Sequence, residues 1–457
     1  MASDGPLKRE IGLFSAIVIV VANTVGTGIF TTPGFILQEV GSAARLLLSW
    51  AIGGGLALCG ALCYGELGSR YPQAGGEYVY LREAFGKPVA FLSGWISLIV
   101  GFSAPIAAGA IAFSTYLLRA LSIADGMNVQ ADLLGFGPFT WSSTTIIAIA
   151  VVLLISFLHI HSLRLGSRVQ NVLTVFKVAL IVGFILAGLR APGGSLDHFT
   201  TGPSTAVLVD GRLAVALIFV SFAYSGWNAA AYLGGEIRHP SRTIPLALLS
   251  GTLIVTALYL LLNLVYVYAL PAEEMRGVME VAAAAGLRLF GPRIGRWING
   301  AVALGLLSVL SAMILAGPRV YYAMARDGVF FGLFAKVMRS RRTPAPAISL
   351  QAAVAVAMIL TASYDKLLVY IGFTLSLSAM LTVIGLVRLR FESRGPAPAY
   401  RTWGYPLTPL IFILGSLWIV VFSVVSRPAP ALWGVATIAA GLCVYACFDR
   451  GQGGAVD

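Results

Sequence analysis

Two short stretches of this chain carry residues able to hold both ends of a small charged molecule. The first, Asn23-Thr24-Val25-Gly26-Thr27-Gly28-Ile29-Phe30, lies inside an apolar run from Ile11 to about Leu37. At roughly 1.5 Å per residue that run is long enough to cross roughly 30 Å of hydrocarbon as a helix. Its centre is unsuited to one, because each glycine costs about 1 kcal/mol relative to alanine. In lipid, irregular backbone is tolerated only where it lines a cavity or is buried in protein. The second stretch, Phe222-Ala223-Tyr224-Ser225-Gly226-Trp227-Asn228, puts Ser, Gly and Asn inside another apolar run about 200 residues later. A helix start at such a break carries partial positive charge and suits a carboxylate, while the opposing carbonyls suit an ammonium group. A zwitterion satisfies both. The bland reading, that these glycines only let helices pack closely, weakens when both stretches are taken together.

Lys177 is the sharpest single residue. It sits in the middle of Val172-Leu173-Thr174-Val175-Phe176-Lys177-Val178-Ala179-Leu180. A cation at that depth is costly and marks function by default; the competing structural role is a reach toward the interface near Arg168.

The elements that must position these residues follow from composition. The 457 residues are 58% hydrophobic and only 11% charged, far below the quarter expected of a soluble domain. This points to an all-α polytopic membrane protein. The apolar runs are continuous rather than alternating, which excludes a β-barrel. Runs at 11–37, 45–68, 88–118, 141–160, 168–189, 212–234, 246–270, 297–324, 346–361, 366–388, 407–425 and 431–448 give 12 expected transmembrane helices. With the N-terminus inside, 20 of the 31 Lys and Arg fall on the inner side, 10 on the outer side and one within a span. That predicts cytoplasmic N- and C-termini and explains the net charge of +12 as a topology signal rather than nucleic-acid binding. The polar start, Met1–Glu10, does not read as a signal peptide. Residues 273–296 read as an amphipathic segment along the outer rim. Glycine-interrupted spans at corresponding places predict two inverted five-helix repeats, 11–190 and 212–391, with a midplane site. Helices 11 and 12 follow over 405–448, between short termini at 1–10 and 449–457.

These residues resemble a family, the amino acid–polyamine–organocation superfamily of permeases, close to its L-type amino acid transporter branch. Gly26-Thr27-Gly28-Ile29-Phe30-Thr31-Thr32-Pro33 is similar to that branch's first-helix motif. Phe222 to Asn228, running into Glu236-Ile237-Arg238-His239-Pro240-Ser241-Arg242-Thr243-Ile244-Pro245, resembles its sixth helix and following loop. Glu66 to Arg70 with Gly75 to Gly86 resembles the loop after helix two, and Arg319 to Gly328 the end of helix eight. Two departures are visible: Ser225 where glycine is usual, adding bulk and a hydroxyl at the gate, and His239 where asparagine is usual.

The resemblance implies a LeuT-type fold with discontinuous helices 1 and 6. It implies a carboxylate held by backbone N–H groups of Gly26, Thr27, Gly28 and Ile29, and an amino group held by carbonyls near Val25, Phe222 and Ala223. Ser225 and Gly226 complete that contact set, Phe222 and Trp227 gate it, and helices one, two, six and seven rock against the rest. It also implies that Lys177 replaces a sodium ion, its ammonium bridging helix one near Gly26 to helix eight near Ser308 or Ser311.

The expected function is secondary active transport of neutral L-amino acids, as a sodium-independent exchanger or a proton-coupled symporter in a prokaryotic inner membrane. No carboxylate is expected at the pocket, Glu66 and Glu236 being assigned to loop arginines. A cationic amino acid or polyamine permease of the same fold is the alternative. A channel or sensor lacks a pore-lining charge ring. An intramembrane enzyme lacks a catalytic set, and the P-loop of an ATP-driven pump is missing. Neither metal nor cofactor is implied; His159-x-His161 reads as a solvated loop end. Cys59 and Cys63, like Cys443 and Cys447, read as packing residues. The outer loop Arg119–Thr140 carries no cysteine, so a disulfide-linked heavy subunit is not expected. The substrate and the lipid bilayer are the expected partners.

Overall fold

The computed structural model describes residues 9, 11–123, 128–132, 138–161, 163–200, 210–336, 343–361, 364–393 and 395–453, with backbone alone for 128–132, 138–140, 163–171 and 448–453. Helices dominate it. The first expected span is α1 (Leu13–Thr24) and α2 (Gly28–Val40), bent by 44° at the three residues between them. Then come α3 (Ala43–Arg70) and α4 (Glu77–Phe85). α5 (Lys87–Ile96) passes through a π-helical stretch, Ser97–Ser103, into α6 (Ala104–Leu121). α7 (Ser143–His161), α8 (Leu163–Gly188), α9 (Gly211–Tyr224) and the one-turn α10 (Ala229–Tyr232) follow. Beyond them lie α11 (Pro240–Ala269), α12 (Ala272–Met275), α13 (Val281–Phe290) and α14 (Pro292–Ala316), which turns at Gly317 into α15 (Pro318–Arg326). The last four are α16 (Ala345–Thr361), α17 (Tyr364–Phe391), α18 (Leu407–Ser426) and α19 (Pro428–Gly453).

Eight helices, or nine with the bent pair, are long and apolar enough to cross a membrane among the described residues. Three more expected spans fall on shorter apolar helices, at 172–188, Gly211–Tyr224 and Ala345–Thr361. Large apolar side chains on these helices face outward, Phe157, Val172, Leu432 and Trp433 among them. In water such a surface would aggregate; against lipid chains it is the expected one. The protein is a multi-pass membrane protein.

One finding departs from an all-helical reading. Residues Asn128–Asp132 (β1) and Pro138–Ser142 (β2) pair as an antiparallel ribbon between α6 and α7. The segment after α11, expected along the outer rim, is packed onto neighbouring helices. Its α13 buries Val281, Ala282, Ala285 and Leu289, packs on α14, and reaches α2. A hydrogen bond from Gly277 N–H to the Gly34 carbonyl (3.0 Å) ties the turn before it to α2.

Inside, small residues let helices approach closely, which replaces the hydrophobic drive that lipid removes. Ala104, Ala107, Ala108, Ala110 and Ala112 on α6 are all fully buried, and α6 packs along α14. α3 packs along α11, which also carries α1. On the face where the chain begins, Ile11 pairs with Ile237 in a parallel bridge. Its N–H donates to the Glu236 carbonyl (2.9 Å), and Arg238 N–H donates to the Ile11 carbonyl (2.8 Å).

Candidate functional site

The first break forms where helix propensity fails. α1 stops at Thr24, and Val25, Gly26 and Thr27 carry no regular helix. Three threonines around it are engaged with their own helices: Thr24 donates to Val20 O (2.7 Å), Thr31 to Thr27 O (3.0 Å) and Thr32 to Gly28 O (2.8 Å). What α2 exposes is its backbone. Among the described residues, no main-chain carbonyl accepts from the Gly28 or Ile29 N–H, as at any helix start.

The second break is sharper. α9 ends at Tyr224, and Gly226 takes φ +98°, a left-handed value that a side chain would strain. The two breaks touch. A Cβ at Gly226 would lie 2.7 Å from the Asn23 carbonyl oxygen, and one at Gly28 would overlap Ala223. Tyr259 of α11, fully buried, donates its hydroxyl toward both Thr24 O (2.7 Å) and Ala223 O (3.0 Å). Its ring packs against Trp50 and Tyr224, centroids 5.3 and 5.0 Å away.

Lys177 is fully buried and points into the first break, its ammonium donating to Ala22 O (3.0 Å) and Val25 O. Its stem lies against Gly305 of α14, where a Cβ would come 3.4 Å from Lys177 Cγ. The expected bridge to Ser308 or Ser311 is not made among the described residues. Both hydroxyls are engaged elsewhere: Ser308 donates to Gly305 O (2.8 Å), and Ser311 pairs with His159 Nε2 (2.8 Å). This corrects His159 as well. It is 1% exposed and joins α7 to α14, while His161 is exposed.

A cavity of about 110 Å³ opens beside the second break. Ser225, Gly226 and Trp227 line it, together with Asn23 and Asn228. Val25, Gly26, Thr27, Gly28, Ile29, Phe222 and Ala223 are not in its lining, because the contact between Gly28 and Ala223 closes the space between α2 and α9. Trp227 forms a wall, edge-on to Tyr64 at 4.7 Å and to Phe412 at 6.2 Å. The π-helical stretch contributes Gly101 and Phe102; such irregularities recur at functional sites.

The sequence reading placed no carboxylate here, and the structure corrects it: Glu77 lines the cavity. Gly75 (φ +124°) and Gly76 (φ +53°) turn the chain back under the sixth span, and Gly75 N–H donates to Tyr232 O (3.1 Å). Glu77 then accepts from Tyr64 (2.7 Å), Asn228 (2.8 Å) and Ser378 (3.1 Å). Burial pushes its carboxyl pKa up, with those three donors acting in the opposite sense. The available signal was the glycine pair directly before an acid. Glu66 and Glu236 do pair with arginines, but at helix ends rather than in loops. Glu66 bonds Arg390 (2.8 Å from Nε) and Thr402, and Glu236 bonds Arg319 at 3.2 Å.

This arrangement, two broken helices meeting beside a largely apolar cavity with Asn23, Glu77, Ser225 and Asn228 in its wall, is suited to holding a small molecule with both polar and apolar parts. Comparison with known proteins agrees. The chain is 32% identical over 449 residues to the mouse b(0,+)-type amino acid transporter 1, covering 97% of this chain and 88% of that one. It is 31% identical to the serine/threonine exchanger SteT of Bacillus subtilis, over 97% of each chain. Against the human large neutral amino acids transporter small subunit 2 it is 31% identical, over 96% of this chain and 80% of the other. The amino acid permease family model matches residues 11–447, and the chain belongs to that family, one of transporters and not of enzymes.

Proposed function

We propose that the protein is a secondary active transporter of neutral L-amino acids, working by alternating access as a sodium-independent exchanger or a proton-coupled symporter. The observation that carries this reading is the meeting of two interrupted helices, with bare α2 amides on one side and, on the other, break carbonyls held by Tyr259 and Lys177. The carboxylate of the substrate is held by the N–H groups of Gly26, Thr27, Gly28 and Ile29, and its ammonium by carbonyls near Val25, Phe222 and Ala223. Ser225 and Gly226 border the side chain. Phe222 and Trp227 act as gates. Separation of Gly28 from Ala223 opens the binding position in the loaded state. Lys177 holds the first break in the place a sodium ion would take, with Ser308 and Ser311 behind it on α14.

The architecture we propose is 12 spans, with inverted repeats over 11–190 and 212–391, spans 11 and 12 over 405–448, and both termini in the cytoplasm of a prokaryotic cell. The excess of Lys and Arg on the N-terminal side supports that orientation. The names of two relatives, a serine/threonine exchanger and a large neutral amino acids transporter, support neutral substrates. The cysteine-free outer loop supports a chain that works without a disulfide-linked heavy subunit.

One observation favours the cationic amino acid or polyamine reading: Glu77 lines the cavity while neither Lys nor Arg does. Counterflow in proteoliposomes with alanine, leucine, arginine and putrescine as competitors, at controlled pH and with sodium omitted, decides between the two. Neutral amino acids alone compete on our reading. Competition by arginine or putrescine in preference to alanine would replace it, and a sodium requirement would remove Lys177 from its assigned place.

A further inference from the structure

Glu77 ties α10, which has little direct packing on α17, to that helix, beside the existing contact between α3 and α17. Tyr64 lies on α3 and Asn228 at the start of α10, both packed with α11; Ser378 lies on α17, which packs on α18, α9 and α4. One carboxylate oxygen, Oε1, takes the Tyr64 and Asn228 donors; the other, Oε2, takes Ser378. Glu77 is 5% exposed and borders the cavity. Its backbone is fixed to the segment after the sixth span by the bridge between Ala74 and Leu233. A Cβ at Gly76 would come 2.6 Å from the Tyr232 ring, so the turn fits closely against α10. α10 therefore cannot shift relative to α17 without opening bonds at Glu77.

The ion pairs among the described residues leave Glu77 out. The titratable groups facing it are the phenols of Tyr64, Tyr80 and Tyr232. Of the charged groups on the same elements, Glu66 pairs with Arg390, Arg82 with Glu83 and Asp327, and Arg388 with Glu392, while Arg45, paired with Asp210, and Asp365 and Lys366 lie at the opposite ends of α3 and α17.

We propose that Glu77 is a proton-binding latch on the N-terminal side of the cavity, closed while it clamps Tyr64 and Asn228 to Ser378. Substrate leaves on that side only when one of these bonds opens. The proton resides on Oε2, and the Ser378 hydroxyl turns from donor to acceptor to meet it. The closed latch is shielded from water and favours the neutral acid. Opening hydrates the carboxylate and releases the proton to the same side. Because burial raises the pKa of the closed form, closure is favoured at low pH, and that preference is lost as pH rises through this raised range. Acid on the N-terminal side therefore holds the gate shut.

The inference rests on the transport reading above, and the test separates the two. The full chain is reconstituted, its orientation is scored by protease cleavage of an N-terminal tag, and alanine and leucine counterflow are measured with pH varied on one side at a time. Acidifying the N-terminal side from about pH 7.5 to about pH 5.5 slows counterflow about threefold or more, and acidifying the other side does not. Glu77→Gln, which retains hydrogen bonding without titrating, abolishes this dependence. Ser378→Ala, which keeps the carboxylate but loses the Oε2 partner, moves the midpoint of the profile. A wild-type profile in Glu77→Gln, or vigorous wild-type counterflow indifferent to pH, would overturn the latch. If Glu77→Gln is not monodisperse in detergent, an unmoved midpoint in Ser378→Ala would do so. Wild-type protein that exchanges neither amino acid at any pH counts against the transport reading instead.

Discussion

Tyr259 stands between Thr24 and Ala223, its hydroxyl 2.7 Å from one carbonyl oxygen and 3.0 Å from the other. Carbonyls in the last turns of two helices are thereby held by one proton donor on a third. A buried hydrogen bond contributes about 1 kcal/mol net, and an orphaned carbonyl costs about 1–3 kcal/mol. Tyr259→Phe keeps the ring against Trp50 and Tyr224 but leaves both carbonyls unpaired. It lowers the melting temperature of the detergent-solubilised protein by a few degrees and raises the Km for the preferred amino acid about tenfold. An unchanged Km would detach Tyr259 from the binding position.

Gly28 tests the same junction by bulk. Since any Cβ there meets Ala223, Gly28→Ala costs about 1–3 kcal/mol of overpacking, and Gly28→Val more. Counterflow is lost in Gly28→Val while Gly183→Ala, with open space around it, behaves as wild type. Gly28→Val that still transports would remove α2's close approach from the mechanism.

Lys177 satisfies two carbonyls that α1 can no longer bond internally. Lys177→Met keeps much of the stem against Gly305 but removes the donor. Transport falls at least about tenfold, and protein expressed at normal levels separates this from misfolding. Wild-type exchange in Lys177→Met would reduce the lysine to a packing residue.

At the other face Asp210 caps α9, accepting from Leu213 N–H (2.9 Å) and pairing with the buried Arg45. Burial pushes its carboxyl pKa up, but these bonds outweigh that and hold it below the ordinary range. A lowered carboxylate pKa gives stability that is present above about pH 4 and lost as pH falls through the native value. Asp210→Asn therefore costs about 2 kcal/mol near neutrality. Its melting temperature converges on that of wild type below about pH 4.

The breaks were legible because local chemistry contradicts its surroundings there: Gly26, Gly28 and Gly226 oppose the helix that the apolar runs demand. Lys177 was legible as a solitary charge at membrane depth. Its acceptors were half legible, since the first break supplies open carbonyls, but its second anchor was not. Ser311 turns to His159 across 152 residues of sequence, and Glu77 meets Asn228 across 151. Periodicity and spacing report on neighbours within a few turns and say nothing of such pairs. The close packing of Gly28 on Ala223 was likewise hidden, which is why the cavity opens at Ser225 and Gly226 and not around α2.

The bridge between Ile11 and Ile237 makes the two strand-like segments a single mechanical part. Whatever displaces the polypeptide just past the sixth span must carry the leading segment along, or tear two main-chain bonds. A spectroscopic label at Arg9 and another at Arg238 should accordingly report one motion with one time constant.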